Sequence, residues 1–195
     1  MAARTCSRLL VASCLFLGAL VAIGCDQVGT IEGQSATVIG SSGGAAWFLY
    51  GDPYAGTPMA GTPNPIATTL AGNATAWDMG GKTLLKLEVW GLPPNRAFGS
   101  HLHKLACDDM KAGGHYQNNM WPAGSSANDP NYANMENEAW LDFSSDATGK
   151  AAPSPQAMLN WVPRAGQAKA IVIHQMGTLP GGIAGPKLAC LPMTF

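Results

Sequence analysis

Three of the four histidines in this chain fall within fifteen residues, in FGSHLHKLACDDMKAGGHYQ (Phe98–Gln117), beside a cysteine. His101 and His103 are two apart in FGSHLH, which follows a Pro-Pro-Asn turn and reads as extended. In a strand, residues i and i+2 project from one face about 7 Å apart along the chain, so two imidazoles so placed can share one metal ion. His115 follows a Gly-Gly pair whose backbone freedom lets its ring swing toward the pair, and His174 ends the apolar run AKAIVIH. A metal at a strand end commonly recruits ligands from both strand and loop. A single histidine is more often a hydrogen-bonded surface or core residue, and His-x-His alone is a weak signal.

The elements that must hold these residues are short and strand-like. Strand character shows in SATVIG at Ser35, AAWFLYG at Ala45, ATTLAG at Ala67, TLLKLEVWG at Thr83 and AKAIVIH at Ala168. In TLLKLEVWG, Leu85, Leu87 and Val89 share one face while Lys86 and Glu88 share the other, the alternation of a half-buried antiparallel strand. No segment after residue 25 has a long helical period. GDPYAGTPMAGTPNP (Gly51–Pro65) carries too much Pro and Gly to be other than loop, and residues 118–137 form a second long polar loop. The expected class is an all-β sandwich or barrel with long loops.

At 195 residues the chain suits one domain, and the 24 Gly and 14 Pro fit a turn-rich β protein. A net charge of −1 with 12% charged residues leaves no basic field for nucleic acid. The N-terminus is distinct: Arg4 and Arg8 precede LLVASCLFLGALVAIG (Leu9–Gly24), sixteen apolar residues where a membrane span needs about 20. AIGC, ending at Cys25, resembles the lipobox of bacterial lipoproteins, in which the cysteine is lipidated, although Ala22 stands where Leu is preferred. The expected division is a signal peptide over 1–24, a tether over 25–34 and one domain over 35–195. A freely secreted form and a plain membrane anchor are the alternatives. With Cys6 and Cys14 in the signal and Cys25 acylated, Cys107 and Cys190 remain as an even pair in an oxidising compartment. A bridge between them would close a loop of more than eighty residues, worth about 4–5 kcal/mol by chain entropy. Two buried free thiols are the other reading.

GSHLHK with AGGHY, then AIVIH, then GPKLAC, resembles the copper/zinc superoxide dismutase family. There the corresponding segments run G-x-H-x-H, GGH or GPH, a V/I-x-I/V-H strand end and G-x-R-x-A-C. GLPPN (Gly91–Asn95) and SSDATGKA (Ser144–Ala151) match two further segments, so the resemblance runs in order from about Ala67 to Cys190. It implies a Greek-key β-barrel or sandwich and one copper per chain on His101, His103, His115 and His174. It also implies a Cys107–Cys190 disulfide and superoxide as substrate.

The zinc half of the family's site is missing. No histidine lies between His115 and His174, and counting back from Asp146 and Gly149 puts Ala139 at the zinc aspartate and Glu136 at the last zinc histidine. The Gln175–Ala189 segment carries no acid and is short, so the charged guiding loop is cut back. The chain thus resembles the copper-only branch. Without zinc, His115 needs a carboxylate to hold its far nitrogen, and Glu136, with Glu138 close behind, is the candidate. Asp108 and Asp109 read as a solvated turn. Lys187 stands where the family has arginine, keeping the charge and losing the planar fork. The implied function is a copper-only superoxide dismutase of the cell envelope, lipid-anchored or secreted. A copper-binding or copper-buffering domain on the same fold is the alternative, and a structural adhesin a third class.

Overall fold

The computed structural model describes residues 36–50 and 70–195. The expected signal segment, Cys25, the tether and the Gly51–Pro65 loop lie outside the described residues. Among the described residues ten strands follow one another: β1 (Thr37–Ser41), β2 (Phe48–Leu49), β3 (Ala71–Asp78), β4 (Thr83–Trp90), β5 (Ala97–Phe98), β6 (Ser100–His103), β7 (Phe143–Ser144), β8 (Gln156–Leu159), β9 (Ala170–His174) and β10 (Lys187–Pro192). The helical content among the described residues is one 3-10 turn at Met110–Ala112.

Two four-stranded antiparallel sheets, ordered β1-β3-β4-β8 and β2-β10-β9-β6, form an all-β sandwich, with β5 and β7 as a small side pair. In β4, Leu85, Leu87 and Val89 are buried while Leu84, Lys86 and Glu88 are not, the alternation expected from the sequence. These side chains share one core with Ala74 and Ala76 of β3, Leu102 of β6, Ile171 and Ile173 of β9 and Leu191 of β10. Burial of such side chains contributes about 1.5–3 kcal/mol each.

Two strands differ from the sequence expectation. The strand placed at ATTLAG begins at Ala71 and runs on through AGNATAWD. Its inward residues are small alanines opposite polar neighbours, a pattern with little hydrophobic contrast. β10 is not among the strands expected from the sequence, and its register slips: Lys187 pairs with His174 and Ala189 with Ile173. One extra residue, Leu188, is accommodated there, and both Leu188 and Ala189 join the core. This bulge turns Lys187 to the opposite face of the sheet.

That opposite face carries the chemistry. His101 pairs with Val172 and His103 with Ala170, so both imidazoles leave the sheet on the side away from the main core. A second small cluster of Cys107, Ala112, Ala170, Val172 and Cys190 covers part of this side. The Cys107–Cys190 disulfide (Cα–Cα 5.7 Å) ties the 104–115 loop down onto β10. Tyr50 adds a tie, its hydroxyl donating to the Cys107 carbonyl at 2.5 Å. Cys107→Ser should cost about 2–5 kcal/mol, read as a lower urea midpoint, and reductant should reproduce the loss in the unaltered protein. An unchanged midpoint in both would show that the bridge contributes nothing.

Candidate metal centre

All four histidines converge. Each offers a ring nitrogen, and these four atoms lie within 4.8 Å of one another. His101 and His103 come from β6 and His174 from the end of β9, all three buried. His115 arrives on the returning limb of the disulfide loop, which pairs beside β6 through a His103–His115 bridge and a Lys104 N–H to Gly114 carbonyl bond of 3.1 Å. Ring centroids of His101 and His115 are 4.0 Å apart, and those of His103 and His174 are 5.4 Å apart.

Which nitrogen faces inward follows from what holds the other one. His103 Nδ1 donates to the Gly113 carbonyl at 3.0 Å and His174 Nδ1 to the Gly185 carbonyl at 3.0 Å. A carbonyl only accepts, so both neutral rings carry their proton on Nδ1 and present a lone pair at Nε2. Those two Nε2 atoms are 3.2 Å apart. Two lone pairs at that separation repel unless a cation lies against both. His115 Nδ1 lies 2.8 Å from Glu138 Oε2, which likewise leaves Nε2 free. His101 is reversed: Nε2 meets the Thr178 hydroxyl at 2.6 Å, while Nδ1 is buried with no partner. An orphaned buried nitrogen is costly by about 1–3 kcal/mol unless something fills the centre. Four inward lone pairs fit a resident copper or zinc ion.

Of the two glutamates expected beside His115, Glu138 is the one at the ring, and it is buried. Residues 118–137 leave and return at adjoining points: Gln117 bridges Glu138, and the Asn118 N–H bonds the Asn137 carbonyl at 2.9 Å. That closure sets Glu138 opposite Gln117, two residues from His115. Glu136 is exposed, its backbone N–H tied to Asn134 Oδ1 at 3.0 Å within the turn. The Glu138 carboxylate also accepts from Trp140 Nε1 at 2.8 Å and Gln117 Nε2 at 2.6 Å. Trp140 in turn packs edge-on against His101, centroids 5.8 Å apart.

Lys187 lines the same cleft, of about 240 Å³, with His103, His115 and His174. Its ammonium donates to the carbonyls of Lys111, at 2.7 Å, and of Gly113. Those carbonyls are aimed by a run of positive φ at Met110, Lys111, Ala112 and Gly113 (42°, 49°, 66° and 62°). Left-handed backbone is unfavourable for the three non-glycine residues, and the disulfide at Cys107 anchors the loop that holds it. Asp108 and Asp109 are exposed, and neither lines that cleft.

Burial and the neighbouring imidazoles push His101 and His103 well below the ordinary histidine value, and burial takes His174 down to about 4. Burial, with Lys111 nearby, also lowers Lys187. His101, His103 and His174 are therefore neutral, lone pairs available, at physiological pH.

No family model matches the chain, and no curated protein matches it by sequence. Solved structures do resemble it. The clock protein EA4 matches with TM-score 0.49 and 19% identity, over 66% of this chain and 88% of its own. The Cu/Zn superoxide dismutase from Brucella abortus matches with TM-score 0.47 and 17% identity, over 82% of this chain and 99% of its own. At under one-fifth identity the likeness says nothing of the site's chemistry, which rests on the imidazoles themselves.

Glu138→Gln should weaken metal binding about 10- to 100-fold, measured with copper by chelator competition, while Glu136→Gln stays within about twofold. Equal effects would remove Glu138 from its role. A pH dependence follows from His174, whose value falls from 6.5 unfolded to about 4 folded. The unfolded chain binds the proton more tightly, so this contribution is complete above pH 6.5 and lost as pH falls toward 4. It amounts to about 3 kcal/mol. The urea midpoint of metal-free protein should hold between pH 8 and 7 and fall between 6.5 and 4, less steeply in His174→Gln. A midpoint unchanged from pH 7 to 5 would contradict this.

Proposed function

We propose that the protein is a copper-dependent superoxide dismutase-like enzyme of the copper-only kind. The observation that carries the reading is the set of four inward imidazole lone pairs beside an open cleft with a lysine ammonium on its wall. The sequence likeness of GSHLHK, AGGHY, AIVIH and GPKLAC to the dismutase family supports it. All four histidines of the chain belong to this one group, so no imidazole remains for a separate zinc ion. The enzyme acts outside the cytoplasm, tethered through a lipid on Cys25 or freely secreted, which the N-terminal apolar run and AIGC support.

Copper held by His101, His103, His115 and His174 would supply one-electron cycling, taking an electron from one superoxide, released as oxygen, and returning it to a second, released with two protons as hydrogen peroxide. His101, His103 and His174 are buried and hold their geometry, whereas His115 keeps 14% of its side chain open to solvent. His115 is thus the ring able to exchange a proton with water. Released from the ion, its Nε2 would take up one proton from water and pass it to the reduced product, the second proton coming from solvent, while Glu138 keeps Nδ1–H oriented. Lys187, fixed by two carbonyls, supplies positive charge where the anion enters.

One observation favours the second reading, a copper-buffering domain. The Lys187 ammonium is engaged by the carbonyls of Lys111 and Gly113, which reduces its freedom to meet an anion. Superoxide decay per bound copper separates the two. The enzyme reading expects fast decay, abolished in His174→Ala and lowered about 10-fold in Lys187→Ala, with Lys187→Arg retaining it. A rate no better than His174→Ala would leave the buffering reading. Metal analysis of protein grown with both ions should find one copper and no stoichiometric zinc at a second protein site.

A further inference from the structure

The His101 contact with Thr178 has more behind it than one hydrogen bond. The Thr178 hydroxyl lies 2.8 Å from Asp142 Oδ1, and the Thr178 N–H donates to Asp142 Oδ2 at 2.6 Å. Asp142 Oδ1 also accepts from the Ser100 N–H at 3.1 Å, on the strand that bears His101. A carboxylate accepts only, so the Thr178 hydroxyl gives its hydrogen to Asp142. What it offers His101 is then a lone pair, and His101 must place its proton on Nε2. Asp142 itself is 3.6 Å from Nε2, too far for a good bond, so the hydroxyl is the link.

Gly99 makes the approach possible. A β-carbon there would lie 2.7 Å from the Met176 carbonyl oxygen, 2.7 Å from Ala184 Cβ and 2.9 Å from Thr178 Oγ1. The Gly99 N–H also donates to the Met176 carbonyl at 2.7 Å. The loop from Met176 to Gly185 therefore lies flat on the residue before the histidine strand, with Thr178 on His101 at one end and Gly185 on His174 at the other.

We propose that Thr178 is a positioning residue: through Asp142 it fixes His101 as the Nε2–H tautomer and directs the Nδ1 lone pair at the metal. Gly99 is the floor on which that contact rests. The inference rests on the copper reading for its consequence, but not for the tautomer. Metal binding at Nδ1 and docking of the Thr178 loop select the same tautomer, so each strengthens the other.

The test uses the full chain. Nitrogen-15 spectra of metal-free protein should show His101 protonated at Nε2 alone; protonation at Nδ1 overturns the proposal without any variant. In Thr178→Val the tautomers should mix and copper affinity, by chelator competition, should fall about 10- to 100-fold. Thr178→Ser should restore both, and Gly99→Ala should reproduce the loss by pushing the loop away. Unchanged affinity with a single tautomer in Thr178→Val, or no rescue by serine, overturns the role of the hydroxyl. Wild-type protein that binds no copper would end the copper reading, and the tautomer spectra would still decide on Thr178.

Discussion

Everything at this site depends on one constraint of imidazole chemistry. A neutral ring has one N–H and one lone pair, so a ring that points its lone pair inward must find an acceptor for its hydrogen outside. Four rings need four acceptors, and the fold supplies each from a different place. They are the Gly113 carbonyl on the disulfide loop, the Gly185 carbonyl, the Thr178 hydroxyl and the Glu138 carboxylate. Much of the architecture around the second sheet serves to bring these acceptors within hydrogen-bond range.

Each acceptor is held by something stiffer than itself. Gly113 ends a left-handed run within a loop pinned by Cys107–Cys190, and its carbonyl also receives Lys187. Lys187 reaches that position because a bulge in β10 turns it to the histidine face. Glu138 is placed by the closure of the 118–137 excursion and saturated by Gln117 and Trp140. A carboxylate held by several donors is fixed in direction, and so it keeps the His115 Nδ1–H oriented.

The histidines themselves were legible because their spacing matches strand geometry, and the sandwich because β4 and β9 carry clear apolar patterns. What stayed hidden depends on the closure of loops. Glu136 and Glu138 are two residues apart and indistinguishable in composition, yet one pairs across to Gln117 and the other ends on the surface of a turn. Thr178 and Asp142 are separated by 36 residues and neither is an unusual residue in its segment. Gly99 carried the only available signal, a glycine directly before the histidine strand. β3 was displaced because alanine facing a core gives no contrast against threonine and asparagine.

The same constraint makes the site better suited to a metal ion than to a proton. His103 and His174 point lone pairs at each other across 3.2 Å, and a single shared proton could relieve that repulsion. Burial opposes it: an imidazolium there would be a desolvated charge, and every further proton would face its neighbour. A metal ion spreads its charge over four donors at once and leaves all four outer hydrogen bonds intact. The outer bonds also fix the rings in advance, so little ordering remains when the ion arrives. The arrangement suits a metal ion, which burial would make hard for a proton to replace.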